Sequence, residues 1–179
     1  MQSIQEQLLI YRLETTQDPE AFSELYSQYK VAIQRFIAFR VSNAEIADDL
    51  TAEVFLKIWH YVKERRRITH FRGLLYRIAR NTVADHYRSA RIAIPLEDVP
   101  EVSLELLEKD LPYVGPIDKE RLLAAMGTMR PEYRELLMLF YFEQLHIKEI
   151  AVIVDKRSGA VRVQLHRALK AIRELLNEV

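Results

Sequence analysis

Apolar residues recur at intervals of three and four along most of this chain, the spacing that returns side chains to one face of an α-helix. Ala21, Phe22, Leu25, Tyr29, Ile33, Phe36 and Ile37 form one such stripe. Pro19 suits the first turn, where a missing N–H leaves no bond unmade, and Asp18 suits the cap before it. This helix is expected to end near Phe39. A second stripe, Ile46, Ala47, Leu50, Val54, Phe55, Ile58 and Trp59, follows Ser42 or Asn43 as cap and leaves Asp48, Asp49, Glu53 and Lys57 largely off it. A third helix is expected from His70 or Phe71 to about Ser89, with Leu74, Leu75, Ile78, Ala79 and Val83 facing inward and Gly73 near its start. Only four Gly and six Pro occur, which argues against a turn-rich β architecture.

Four of those six prolines fall in IPLEDVPEVSLELLEKDLPYVGP, which reads as a linker, although Leu104, Leu106 and Leu107 could form a short helix within it. Beyond it the pattern predicts a helix from Ile117 to Met129. Pro131 then opens an apolar one through Leu136, Leu137, Leu139, Phe140 and Phe142. Ile147 to Val154, a break at Asp155 to Arg157, and a helix from Ser158 to about Leu176 complete the chain. The expected fold is all-α: a domain over residues 1–92, an acidic linker over 93–116 and a second small domain over 117–179. With 49 % hydrophobic residues in 179, each domain can build a core.

The formal net charge is zero, yet the charge is sorted along the chain. Residues 1–59 carry a net −4, residues 63–91 a net +7, residues 92–120 a net −6 and residues 121–179 a net +3. The positive segment, KERRRITHFRGLLYRIARNTVADHYRSAR, also carries the rings of His70, Phe71, Tyr76 and Tyr87. Such a patch attracts a polyanion even on a neutral molecule, whereas an ordinary solvated helix face would be the plainer account.

Several function classes lose support on composition. There is no Cys, hence no disulfide and no thiolate ligand. The five His are at least ten residues apart, and HExxH, Walker and GxGxxG patterns are absent. Asp48 and Asp49 are adjacent and point to different sides of a helix, so they make a poor acid and base pair. No enzyme, metal or cofactor is expected. The segment MQSIQEQLLIYRLE lacks the basic start and unbroken apolar run of a secretion signal, and no apolar run approaches membrane-spanning length. The expectation is a cytoplasmic protein without stable membrane insertion.

The stretch HIKEIAVIVDKRSGAVRVQLHRALKAI reads as a short helix, a tight turn and a longer helix, the helix-turn-helix pattern. With Val161 at the centre of the buried face and about 100° per residue, Leu165, Ala168, Leu169 and Ile172 fall within about 80° of it. Gly159, Arg162, Val163, His166, Arg167 and Lys170 fall opposite. A recognition helix needs that division, one face to pack and one to meet base edges and phosphates. A purely structural helical hairpin would show the same buried face.

Four stretches in order, AFSELYSQYKVAIQRFI, DDLTAEVFLKIW, FRGLLYRIARNTVADHYR and PEYRELLMLFYFEQLHIKEIAVIV with SGAVRVQLHRALKAIREL, resemble regions 2 and 4 of the bacterial sigma-70 family, specifically its extracytoplasmic-function members. The likeness spans nearly everything from Ala21 to Leu176 except the acidic linker. It implies a subunit that binds core RNA polymerase and directs it to promoter DNA through two elements. On that resemblance Asp48, Asp49, Leu50, Glu53, Val54 and Phe55, with Trp59 beside them, match the part that contacts the clamp helices of the largest polymerase subunit. Packing of Phe55 and Trp59 into the chain's own core is the competing account. Lys63, Arg65, Arg66, Arg67, His70, Phe71, Arg77, Arg80, Asn81, Tyr87 and Arg88 match the part that binds and opens the −10 element, where cations hold phosphates and a pocket receives an unstacked base. For Tyr76 the core reading is preferred, and Asp85 is read as a local partner of Arg88, Arg77 or Arg80. Arg157, Ser158, Gly159, Arg162, Val163, His166, Arg167 and Lys170 match the −35 reader. Ala52 stands where the family commonly has Gln, and Val163 and Gln164 where it usually has Ser and Arg. An anti-sigma protein is a further partner the resemblance implies. The alternatives are a helix-turn-helix regulator working without polymerase, which would leave DDLTAEVFLKIW without work, and a helical adaptor that has lost DNA recognition, which would not need the retained Arg residues.

Overall fold

The computed structural model describes residues 4–41, 43–89 and 119–177; Ser42 and the linker leucines lie outside them. All regular structure among the described residues is helical. The first unit is built from α1 (Ile4–Thr16), α2 (Pro19–Ala38), α3 (Ala44–Lys63) and α4 (Phe71–Ser89); the second from α5 (Lys119–Thr128), α6 (Pro131–Leu137), a π-helical turn (Met138–Phe142), α7 (Ile147–Ile153) and α8 (Ser158–Asn177).

Local chemistry starts the helices where the sequence places them. The Asp18 carboxylate accepts from the N–H groups of Glu20 and Ala21, at 2.8 and 3.4 Å, and so satisfies donors that the first turn of α2 leaves open. Arg12 holds that carboxylate from α1, with Nη2 2.6 Å away, and its hydrogen bond keeps the Asp18 carboxyl below the usual carboxylate range. Asn43 caps α3 through Glu45 N–H at 2.7 Å. Gly does not mark the helix ends: Gln17, Arg65, Gln144 and Asp155 take the left-handed conformation, with φ of 54°, 55°, 51° and 54°. Each costs on the order of 1 kcal/mol, which the surrounding packing offsets.

In the first unit α1 packs on α2, α2 on α3, and α3 on α4. Leu25, Ile33, Phe36, Ile37, Val54, Ile58 and Leu75 are fully buried between them. The sequence pattern did not assign α1. Leu9 and Leu13 anchor it in the core, while Ile4, Leu8 and Tyr11 remain exposed on its other side, so no single stripe announces the helix. In the second unit α5, α6 and α7 all pack on α8. The run opened by Pro131 is shorter than an uninterrupted helix would be: after Leu137 the backbone widens, and Glu143 N–H donates to the Met138 carbonyl at 3.0 Å, five residues back.

The two units pack against each other, mainly α4 on α7. Tyr76 is buried, as expected, and its ring meets Phe36 edge-on at 5.1 Å. Its hydroxyl, however, donates to the carboxylate of Glu143 from the second unit.

Candidate nucleic-acid and polymerase interface

Two cationic surfaces emerge from this packing. The first is the loop between α3 and α4. Ile68 is buried and fastens the loop to the core, its N–H donating to the Glu14 carboxylate at 2.5 Å. Tyr61 donates its hydroxyl to the Arg67 carbonyl at 3.2 Å. With the backbone held in this way from α1 and α3, the side chains of Arg65, Arg66 and Arg67 stand in solvent. Arg66 pairs with Glu64 at 2.7 Å and lies over the Tyr61 ring at 5.6 Å; Lys63 lies 4.8 Å from the Trp59 ring.

The surface continues along α4, where the expected residues divide. His70, Arg77, Asn81 and Arg88 are exposed, and Arg80 is partly covered. Phe71 and Tyr87 are buried; the Tyr87 hydroxyl donates to the Arg40 carbonyl at 2.6 Å, and burial raises its pKa. Their rings are therefore supports for the fold in this arrangement rather than platforms open to a base. Asp85 pairs with Arg88 at 2.5 Å, the local role foreseen for it. Arg80 donates through Nε to Glu135 at 3.1 Å. Arg66, Arg77, Arg80 and Asn81 line a cleft of about 530 Å³ whose other wall is Val152, Ile153 and Asp155.

The second surface is the outer face of α8. Val161, Leu165, Ala168 and Ile172 are buried, while Gly159, Arg162, Val163, His166, Arg167 and Lys170 are exposed, as the helical spacing predicted. Arg157 is exposed and Ser158 half-buried at the entry to the helix. Gln164 lies at the edge of the buried arc and accepts from Lys156 Nζ at 2.9 Å, which ties the turn to the helix. The helix before that turn is capped by Glu149, whose carboxylate accepts from His146 N–H at 2.8 Å.

The residues matched to a polymerase contact separate by face. Leu50, Val54 and Phe55 are buried, with Phe55 against Tyr26 at 4.6 Å and Phe22 at 6.5 Å, and Trp59 meets Phe22 at 4.9 Å. Asp48, Asp49 and Glu53 are exposed beside them; Asp48 accepts from Gln34, and Glu53 pairs with Lys57 at 2.7 Å. Sequence reasoning missed Leu56, which is 61 % exposed in the midst of these acids. Its signal was available: an apolar residue off the stripe of an otherwise amphipathic helix.

Among the described residues no cluster of His, Asp and Glu could hold a metal ion, and no helix is long and apolar enough to cross a membrane.

Comparison with known proteins joins these surfaces to a family. The family description Sigma-70 region 2 matches residues 25–92, and Sigma-70, region 4 matches residues 119–172. The chain is 29 % identical over 165 residues to the ECF RNA polymerase sigma factor BldN of Streptomyces coelicolor, covering 89 % of this chain and 61 % of that protein. It is 28 % identical over 173 residues to the RNA polymerase sigma factor CarQ of Myxococcus xanthus, covering 89 % of this chain and 91 % of the relative. Among solved structures, CnrH in complex with the cytosolic domain of CnrY superposes with a TM-score of 0.70 at 22 % identity, over 97 % of this chain and 98 % of that one. The sigma factor RpoE, in complex with the anti-sigma factor NepR from Bartonella quintana, gives 0.62 at 19 %, over 87 % and 96 %. These two share the fold. With the two family regions matched in order across two helical units, the chain belongs to the extracytoplasmic-function sigma factors of the sigma-70 family, a class of non-catalytic initiation factors.

Proposed function

We propose that the chain binds core RNA polymerase and directs it to promoters carrying two DNA elements. The observation that carries this reading is the outer face of α8: Arg162, His166, Arg167 and Lys170 are exposed on one side, Lys170 paired with Glu174 at 3.7 Å, while the other side closes the core. An exposed cationic helix held by a rigid scaffold is what major-groove readout requires. Arg162, Val163, His166 and Arg167 are assigned to base edges, Val163 by apolar contact with a thymine methyl. Arg157 and Lys170 hold phosphates, with Ser158 and Gly159 at the helix entry where the backbone comes close to the duplex.

The loop and α4 surface is assigned to the −10 element. Lys63, Arg65, Arg66, Arg67, Arg77, Arg80 and Arg88 hold the backbone, and His70 and Asn81 stand where an unstacked base could be read. Phe71 and Tyr87 serve this site by shaping α4 from within. The polymerase contact is assigned to Asp48, Asp49, Glu53 and Leu56 on α3, against basic residues of the clamp helices of the largest subunit. Leu50, Val54 and Phe55 hold that face in place. An anti-sigma protein is a further proposed partner, and the proposed location is the cytoplasm, where polymerase works.

Reconstitution with core polymerase, followed by sequencing of the 5′ ends of the transcripts, tests the reading. The expected result is a set of new start sites sharing two upstream elements. Failure to associate with core, or initiation at the same sites without the protein, would refute it.

A further inference from the structure

The loop between α3 and α4, residues 64–70, carries Arg65, Arg66 and Arg67 in succession. Like charges side by side repel, and a free loop of this kind spreads over many conformations. Of its side chains only Ile68 is buried, so packing alone fixes little of its path. Hydrogen bonds supply the rest. Tyr61 of α3 donates to the Arg67 carbonyl at 3.2 Å, and the other ties come from the end of α1. The Glu14 carboxylate accepts from the Ile68 N–H at 2.5 Å, a bond to a charged acceptor and so stronger than one between neutral groups. Gln17, just past α1, donates its side-chain amide to the carbonyls of Val62 and Lys63 at 3.4 Å each, and its side-chain oxygen accepts from Lys63 Nζ at 3.4 Å. The end of α1 thus grips both the last turn of α3 and the middle of the loop.

The grip has a firm base. Leu9 and Leu13 are buried, and Tyr29 of α2 donates its hydroxyl to Glu6 at 2.5 Å. The grip also leaves the cations free for another partner. Glu14 lies close to three arginines but bonds the backbone, while the ion pair of Arg66 goes to Glu64 at 2.7 Å. All three guanidinium-bearing residues stay exposed. The loop is held without being neutralised, and by a helix that lies before the matched sigma-70 region 2, which begins at residue 25.

We propose that Glu14 and Gln17 are positioning residues for the −10 element: they hold the loop in the form in which Arg65, Arg66 and Arg67 meet the phosphates of the opening strand, and touch no DNA themselves. DNA as the ligand rests on the proposed function; the hold of α1 on the loop does not. A loop arranged beforehand loses less conformational freedom on binding, so breaking the tie acts on promoter opening rather than on polymerase binding.

The test uses the full chain reconstituted with core polymerase, on the strongest promoter found by sequencing of transcript 5′ ends. Glu14→Ala, Glu14→Gln and Gln17→Ala are compared with wild type and with Thr15→Ala, an exposed neighbour whose hydroxyl bonds within α1 to the Tyr11 carbonyl at 2.7 Å. Opening is followed by permanganate reactivity of unpaired thymines on duplex and premelted templates, core affinity by titration, and exchange of the Ile68 amide in the free protein by NMR. Glu14→Ala should slow duplex opening about tenfold or more, the factor set by one hydrogen bond to a charged acceptor, and speed Ile68 exchange while core affinity is unchanged. Glu14→Gln, which still offers an acceptor oxygen, should restore most of both. Gln17→Ala should show a smaller defect of the same kind, premelting should relieve the defect, and Thr15→Ala should match wild type. Wild-type opening in Glu14→Ala overturns the role in DNA binding even if its Trp59 urea midpoint falls, since a purely structural tie changes stability alone. An equal defect in Thr15→Ala overturns it too. Fast Ile68 exchange in wild type overturns the hold itself. A wild type that binds no core polymerase refutes the sigma reading and the DNA role with it, and Ile68 exchange then decides the hold separately. Should Glu14→Ala lose helix content by circular dichroism, Gln17→Ala decides by the same readouts.

Discussion

Replacing Phe55 by Ala separates a residue that holds the proposed polymerase-binding face from one that forms it. Phe55 is 3 % exposed, with its ring against those of Tyr26 and Phe22. Removing a buried Phe side chain costs about 3–5 kcal/mol, because the lost transfer free energy is joined by that of an unfilled cavity. At about 2 kcal/mol per molar urea, a loss of this size lowers the unfolding midpoint by about 2 M. The single Trp of the chain, Trp59, sits one turn away against Phe22 at 4.9 Å, so its fluorescence reports unfolding of the first unit specifically. Urea titrations of wild type, Phe55→Leu and Phe55→Ala followed by Trp59 emission, paired with polymerase titrations without urea, should show stability falling in that order. Phe55→Leu, still folded, should retain core affinity. A wild-type midpoint in Phe55→Ala together with lost polymerase binding would refute the reasoning and make the ring itself part of the contact.

Four further outcomes are expected. Charge reversal at Asp49 and Glu53 should weaken binding to core polymerase in a titration while the Trp59 midpoint stays within about 1 kcal/mol of wild type, since the exposed Glu53–Lys57 pair is the ion pair given up. Burial and the neighbouring Glu143 charge raise the Tyr76 pKa, so its stabilising contribution is present in full below pH 10.0 and declines above it as the unfolded chain ionises first, with a slope of about 1.4 kcal/mol per pH unit; urea midpoints between pH 9 and 11 should fall less steeply in Tyr76→Phe, where Tyr29 and Tyr87 still contribute in the same direction. In the holoenzyme, Arg162→Ala should reduce discrimination among upstream sequences by about 1–3 kcal/mol, whereas Lys170→Ala should weaken all sequences alike and lower the salt slope by about one unit, both read from promoter titrations at several salt concentrations. Gly73→Ala should stabilise the first unit by about 0.5–1 kcal/mol in urea, because the new Cβ meets only the His70 Cβ at 3.7 Å, an ordinary contact.

What the sequence determined by itself is what neighbouring residues decide. Asp18 and Asn43 cap α2 and α3 through bonds to amides two or three residues on, and the buried and exposed faces of α8 follow from a period of 3.6 residues. The stripe of α3 likewise identified Leu50, Val54, Phe55 and Ile58 as one face, though it could not say whether that face met the chain's own core or another protein. Tertiary structure decided that by laying the Tyr26 and Phe22 rings of α2 on Phe55, and the same packing left Leu56 outside. It also decided α1, whose apolar residues surround the helix and become inside or outside only once α2 is beside them. Helix ends at Gln17, Arg65, Gln144 and Asp155 escaped the sequence because none is Gly and each left-handed residue is held there by its surroundings. The seam between the two units was the least legible feature. Arg35 and Glu143 stand 108 residues apart, and each alone reads as an ordinary surface charge. Only the docking of two units brings them into a common dry site, where each makes the burial of the other tolerable.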